Sequence, residues 1–244
     1  EIFDIAGFPA VKGRDLVDGL MKQAGAFNPT FVLGERAEEL ETSEAGPVRV
    51  VTDKGTVIEA KVAIITGGAH GMGEAEARLF AKEGAAVIIA DRRADLGETL
   101  AADITASQGR ASFFTMDVAQ EADWKRLIEK ALSDYGRIDI LVNNAGISGS
   151  AVGDMLSLEG WNQLMSINAT GVFLGTTLVG QVMAQQGKGS IVNISSIMGF
   201  VSSAEGHPGY SASKGAVRLL TKNAAVRWGP QGVRVNSVHP GYLP

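Results

Sequence analysis

From Lys61 onward the chain alternates short unbroken apolar runs with longer stretches whose apolar residues recur every three or four positions. Val62-Ala63-Ile64-Ile65 and Val87-Ile88-Ile89-Ala90 are the clearest runs. A strand that is apolar on both faces is buried on both faces, as in a parallel sheet covered by helices. Ser112–Met116, Ile138–Val142, Ser190–Ile194 and Val233–Val238 read as further strands. Between them the spacing predicts helices. The first directs Met72, Ala75, Leu79 and Phe80 inward and stops at Gly84; another runs to Tyr135 and stops at Gly136. A later helix holds Asn168, and one running to about Trp228 holds Tyr210. Strand–helix alternation of this kind implies an α/β fold, a Rossmann-like doubly wound parallel sheet of about six strands.

Residues 1–60 follow a different pattern. Leu16, Leu20, Met21 and Ala24 fall at helical spacing between Gly13 and Gly25, and Phe31-Val32-Leu33 is a short strand candidate. Val48–Thr52 and Thr56–Ile58 flank the turn Asp53-Lys54-Gly55, which reads as a hairpin. The expectation is an N-terminal helix and β-hairpin appended to a domain over 61–244.

Bulk properties narrow the function classes. A net charge of −5 leaves no basic footprint for nucleic acid. The absence of cysteine removes thiol nucleophiles and zinc–thiolate sites, and fits a reducing, cytoplasmic setting. His70, His207 and His239 show no metal-ligand spacing. No apolar run approaches the roughly 20 residues of a membrane span, so no membrane partner is expected.

Chemistry concentrates in a few places. Thr66-Gly67-Gly68-Ala69-His70-Gly71-Met72-Gly73 lies between a strand and a helix. Glycines there let a pyrophosphate approach the backbone, and the helix N-terminus offers free N–H donors. Asp91 ends the second strand, placed to accept hydrogen bonds from the adenosine ribose hydroxyls, which favours NAD over NADP. Arg92 and Arg93 follow it and could attract a 2′-phosphate. Asp117, before Val118, caps the next helix or hydrogen-bonds an adenine. Asn144-Ala145-Gly146 places small residues at a strand end, where ligands bind in open α/β sheets. Tyr210 and Lys214 sit one helical turn apart on one face. A neighbouring ammonium favours a phenolate, which would suit a tyrosine to acid–base work.

These motifs, in this order on these elements, resemble the short-chain dehydrogenase/reductase family over residues 61–244: Thr66-Gly67-x-x-x-Gly71-x-Gly73, Asn143-Asn144-Ala145-Gly146, Asn168, Ser196, Tyr210-x-x-x-Lys214 and Pro240-Gly241. The resemblance implies an NAD(P)-dependent oxidoreductase that interconverts a secondary alcohol and a ketone. It makes Tyr210 the general acid/base, and Ser196 the residue that orients the substrate oxygen, with Ser195 a rival. Lys214 holds the nicotinamide ribose and lowers the Tyr210 pKa, and Asn168 holds a proton-relay water. Thr66, Gly67, His70, Gly71, Met72, Gly73, Asp91, Arg92, Asp117, Val118, Asn144, Ala145, Gly146, Tyr210, Lys214, Pro240 and Gly241 are the expected cofactor contacts. It also implies a homo-oligomer, and a family C-terminal segment lacking after Pro240-Gly241. Residues Ile5–Pro9, Arg14–Leu20, Phe27–Thr30 and Thr52–Lys61 resemble the FAD domain of thioredoxin-reductase-like ferredoxin–NADP reductases, without that family's glycine fingerprint, so no FAD is expected. The second reading is a chimera that binds nucleotide but is catalytically impaired.

Overall fold

The computed structural model describes residues 37–41, 49–52, 57–59, 61–154, 156–201 and 206–241. The first three segments are strands β1 (Ala37–Glu41), β2 (Arg49–Thr52) and β3 (Val57–Glu59). They form an antiparallel sheet in chain order, with Val51 opposite Val57 across the expected hairpin. β1 is a strand that the apolar pattern does not single out. The helix expected near Gly13–Gly25 and the strand at Phe31–Leu33 lie outside the described residues.

Six strands make the parallel sheet: β4 (Val62–Thr66), β5 (Ala86–Asp91), β6 (Arg110–Thr115), β7 (Ile140–Asn143), β8 (Gly189–Ile194) and β9 (Val233–Val238). Their order is β6-β5-β4-β7-β8-β9. The chain winds outward from β4 to β6, then crosses back to place β7 on the other side of β4. Ligands bind at such a reversal, beyond the carboxyl ends of the strands. Successive residues of one strand feed opposite faces. Ile64 and Ile88 pack with Trp124, Leu141, Ile191 and Trp228 on one side. Ile65 and Ile89 pack with Ala77, Leu100 and Ile104 on the other.

The helices are α1 (Gly71–Lys82), α2 (Ala94–Ala106), α3 (Glu121–Tyr135), α4 (Leu158–Met165), α5 (Val172–Gln186) and α6 (Pro208–Trp228). Gly84 and Gly136 adopt positive φ just beyond α1 and α3, as the sequence predicts for helix stops. Of the expected inward face of α1 only Phe80 packs against the core; Met72, Ala75 and Leu79 are exposed, and Gly73, Ala77 and Ala81 are the buried stripe. Small residues one turn apart let this helix lie close on the sheet, and the bulky ones flank the contact. Asp117 does not cap α3. Its Oδ1 accepts from the Ala119 amide, and the helix begins after Gln120.

Residues Leu158–Gln186 form a single helical run long and apolar enough, by length and composition, to cross a membrane, which counting unbroken apolar residues does not reveal. Leu174, Val179 and Met183 on it are buried in the sheet core. Its middle, Ser166–Gly171, is π-helical and contains Asn168.

Candidate active site

Thr66 anchors the glycine loop to the end of β7. Its Oγ1 accepts from the amides of Asn144 and Ala145, both at 3.1 Å, and donates to the Val142 carbonyl. The Asn144 side chain donates back to the carbonyls of Thr66 (3.0 Å) and Gly67 (3.2 Å). Gly67 and Gly71 take φ of +62° and +60°, a region L side chains rarely adopt. A Cβ on Gly73 would collide with the Gly67 carbonyl. The loop is thereby held open at the N-terminus of α1, where amide donors and the helix dipole favour an anion.

Beside it lies a cavity of about 450 Å³. Gly67, His70, Asp91, Arg92, Asp117, Val118, Ala145 and Gly146 are on its wall. Asp91 is buried. Its Oδ2 accepts from the Ala69 amide (3.1 Å) and its Oδ1 from the Arg93 amide (3.0 Å). Each carboxylate oxygen keeps a further lone pair for a ligand hydroxyl. A glycine cradle, an N-terminal helix end and a carboxylate around one cavity fit a dinucleotide.

A second cavity, about 310 Å³, joins Met72 and Asn144 to Ser196, Tyr210, Lys214 and the Pro240–Gly241 pair. Tyr210 and Lys214 stand on the first turns of α6. His207 caps that helix, its Nδ1 accepting from the Gly209 amide at 3.0 Å. Lys214 is 5% exposed, and its Nζ donates to the Ile194 carbonyl at 2.8 Å. Burial pulls its ammonium down from 10.5 to about 8. The Nζ lies 5.7 Å from the Tyr210 ring centroid.

The two serines divide. Ser195 Oγ donates to the Lys214 carbonyl at 2.8 Å, tying β8 to α6. Ser196 Oγ accepts from the Met198 amide at 3.1 Å, and no acceptor takes its own proton among the described residues. Asn168 is fully buried and lines neither cavity. Its Oδ1 accepts from the Ile147 amide and its Nδ2 donates to the Ile147 carbonyl, both at 2.8 Å, with a weaker bond to Ser213 Oγ. A π-helical turn re-aims a side chain in this way, and such turns concentrate at functional sites. Asn168 thereby holds Ile147, which walls both cavities.

A third cavity, about 520 Å³, opens beside Tyr210 between Gly149, Val152, Asp154, Met198 and His207. Its walls come from the two loops after β7 and β8. Ile147, Ile194, Met198 and His207 carry no motif of their own; only their place at the end of β8, in the loops after β7 and β8, or just before α6 marks them in the sequence.

A family model described as short chain dehydrogenase matches residues 61–244. Cyclopentanol dehydrogenase of Comamonas sp. (strain NCIMB 9872) is 45% identical over 186 residues, 76% of this chain and 74% of that protein. A 3-alpha-(or 20-beta)-hydroxysteroid dehydrogenase of Mycobacterium bovis is 42% identical over 75% of this chain and 69% of its own length. An NADP-dependent (R)-specific alcohol dehydrogenase of Lentilactobacillus kefiri is 44% identical over 76% and 74%. Among solved structures, that of gox2181 superposes with a TM-score of 0.71 at 31% identity, covering 77% of this chain and 74% of the other. The family match spans most of the chain and these relatives are more than 40% identical to it, so the chain belongs to the short chain dehydrogenase family.

Proposed function

We propose that residues 61–244 catalyse NAD(P)-dependent interconversion of a small secondary alcohol and its ketone, with Tyr210 as general acid/base. The observation that carries this reading is the meeting of Tyr210, Ser196 and Lys214 on one cavity next to the glycine loop. A nicotinamide cofactor supplies the hydride acceptor or donor. The wall between Gly67 and Val118 would hold its adenosine half, and Asn144, Lys214 and Pro240 its other end. In oxidation the substrate hydroxyl gives its proton to the Tyr210 oxygen as a hydride leaves its carbon. Ser196 donates its free O–H to the same substrate oxygen. The Lys214 ammonium stabilises negative charge on the Tyr210 oxygen. Because Lys214 titrates near 8, it can also pass a proton on at modest cost. Asn168, through its two hydrogen bonds to Ile147, fixes the loop after β7 that faces these groups.

The Asp91 carboxylate in the adenosine cavity favours NAD. Arg92 and Arg93 on the same wall would temper that preference. The cavity beside Tyr210 would take the body of the substrate. One relative is named for cyclopentanol and another for hydroxysteroids, so cyclic secondary alcohols are the first class to test. Phe173, Leu219 and Val226, exposed on α5 and α6, suit pairing of two copies. We place the protein in the cytoplasm, with residues 1–60 as an appendage that resembles a flavin domain but binds no flavin.

The test is turnover of the full chain on cyclopentanol and related alcohols with NAD and NADP, beside Tyr210→Phe. Turnover that falls at least about a thousandfold in the variant, with NADH affinity retained, is the expected result. NADH binding without turnover in either protein would favour the second reading, an impaired nucleotide-binding chimera.

A further inference from the structure

His239 lies just beyond β9, outside every motif above. Its Nδ1 is 3.1 Å from the carbonyl oxygen of Ser196, and its Nε2 is 2.9 Å from Ser237 Oγ. A carbonyl can only accept, so Nδ1 carries the proton; in the neutral ring Nε2 then accepts from the Ser237 hydroxyl. Both ring nitrogens are engaged and the ring plane is fixed. The same ring meets Phe200, with centroids 4.4 Å apart and planes tilted by 58°. The Arg218 guanidinium lies 4.0 Å from the Phe200 centroid, on the helix that carries Tyr210 and Lys214. Ser196 opens, and Phe200 closes, the single 3₁₀ turn Ile197–Gly199. One histidine therefore grips both ends of the turn that aims Ser196.

We infer that His239 is a positioning residue: by binding the Ser196 carbonyl and packing against Phe200 it fixes the direction of the Ser196 hydroxyl toward the substrate oxygen. This rests on the hydride-transfer reading of the site. A catalytic group displaced by about an ångström can lose a large part of its effect, so the ring acts on rate rather than on binding.

The experiment uses the full chain with NAD and a turned-over alcohol. His239→Phe keeps an aromatic ring and removes both hydrogen bonds. We expect kcat to fall about tenfold, a loss of ~1.4 kcal/mol in the transition state, with KM and NADH affinity within about twofold. His239→Asn retains a donor near the Nδ1 position and should recover most of kcat. In a Ser196→Ala background His239→Phe should cost less than about twofold, because residues that act as one unit are not additive. Independently of turnover, amide exchange of residues 196–200 should accelerate in His239→Phe. His239→Leu replaces it, with the same expectations, should it not fold. An unchanged kcat and unchanged exchange would overturn the inference, as would an equal loss of kcat with Ser196 absent. A Tyr210→Phe variant as active as wild type would instead sink the hydride-transfer reading, leaving exchange to decide on His239.

Discussion

Lys214→Met is expected to stabilise the protein at neutral pH while abolishing its turnover. The side chain is 5% exposed, makes one hydrogen bond to the Ile194 carbonyl, and forms no ion pair among those found for the described residues. Burial lowers its titration from 10.5 to about 8. Each pH unit between those values is worth about 1.4 kcal/mol, so holding the ammonium in the folded state costs roughly 3 kcal/mol below pH 8. Methionine fills similar volume without charge. It strands the Ile194 carbonyl, which returns about 1–2 kcal/mol of that gain. The net expectation is a variant about 1–2 kcal/mol more stable at pH 7. The sign of the pH dependence follows from proton counts. Between pH 8 and 10.5 the unfolded chain binds more protons at Lys214 than the folded one, so wild-type stability rises with pH there. The advantage of the variant is therefore constant below pH 8, falls by about 1.4 kcal/mol per pH unit through that window, and reverses within it at about pH 9. Urea unfolding of both proteins at steps from pH 6 to 10 measures the difference, in which other titrating groups largely cancel. A difference that stays flat from pH 7 to 10 would refute the burial argument. Turnover should drop at least about a hundredfold, as for loss of a group that supports proton transfer.

Burial pushes the Glu76 carboxyl up from 4.5 to about 7, and its Oε2 has no hydrogen-bond partner. Its folded form holds the extra proton between those values, so its cost to stability grows as pH rises through them. Glu76→Gln should gain about 1–2 kcal/mol at pH 8, discounted for partial exposure, and nothing near pH 4, read by thermal melting at both. Thr66→Val removes three hydrogen bonds at the base of the glycine loop. It should cost about 2–4 kcal/mol in denaturant unfolding, and Thr66→Ser should cost little. Gly73→Ala drives a methyl group into the Gly67 carbonyl. NADH affinity, followed by fluorescence, should weaken at least about tenfold, with a stability loss of about 1–3 kcal/mol.

Sequence alone carried the strands of the parallel sheet, because an unbroken run such as Val62–Ile65 needs no partner to be recognised as buried on both faces. It also singled out Gly67, Asp91 and the Tyr210–Lys214 pair, which the fold places on the walls of cavities. Contacts between distant segments were not legible. The inward face of α1 was misplaced because small residues, not large ones, make the close contact with the sheet. The choice between Ser195 and Ser196 needed the Lys214 carbonyl, which commits one hydroxyl and leaves the other free. A buried chain of polar groups, Asn143, Thr176, Asn193 and Thr221, joins two strands to two helices, yet each residue alone reads as ordinary. The hydrogen bonds of Asn168 to Ile147, and those of His239 to Ser196 and Ser237, belong to the same class. Local pattern determines which segments become strands and helices, since backbone hydrogen bonding and apolar periodicity are short-range. Only the packed fold decides which polar atoms are already taken and which remain for a substrate, since burial and partners come from residues far apart in the chain.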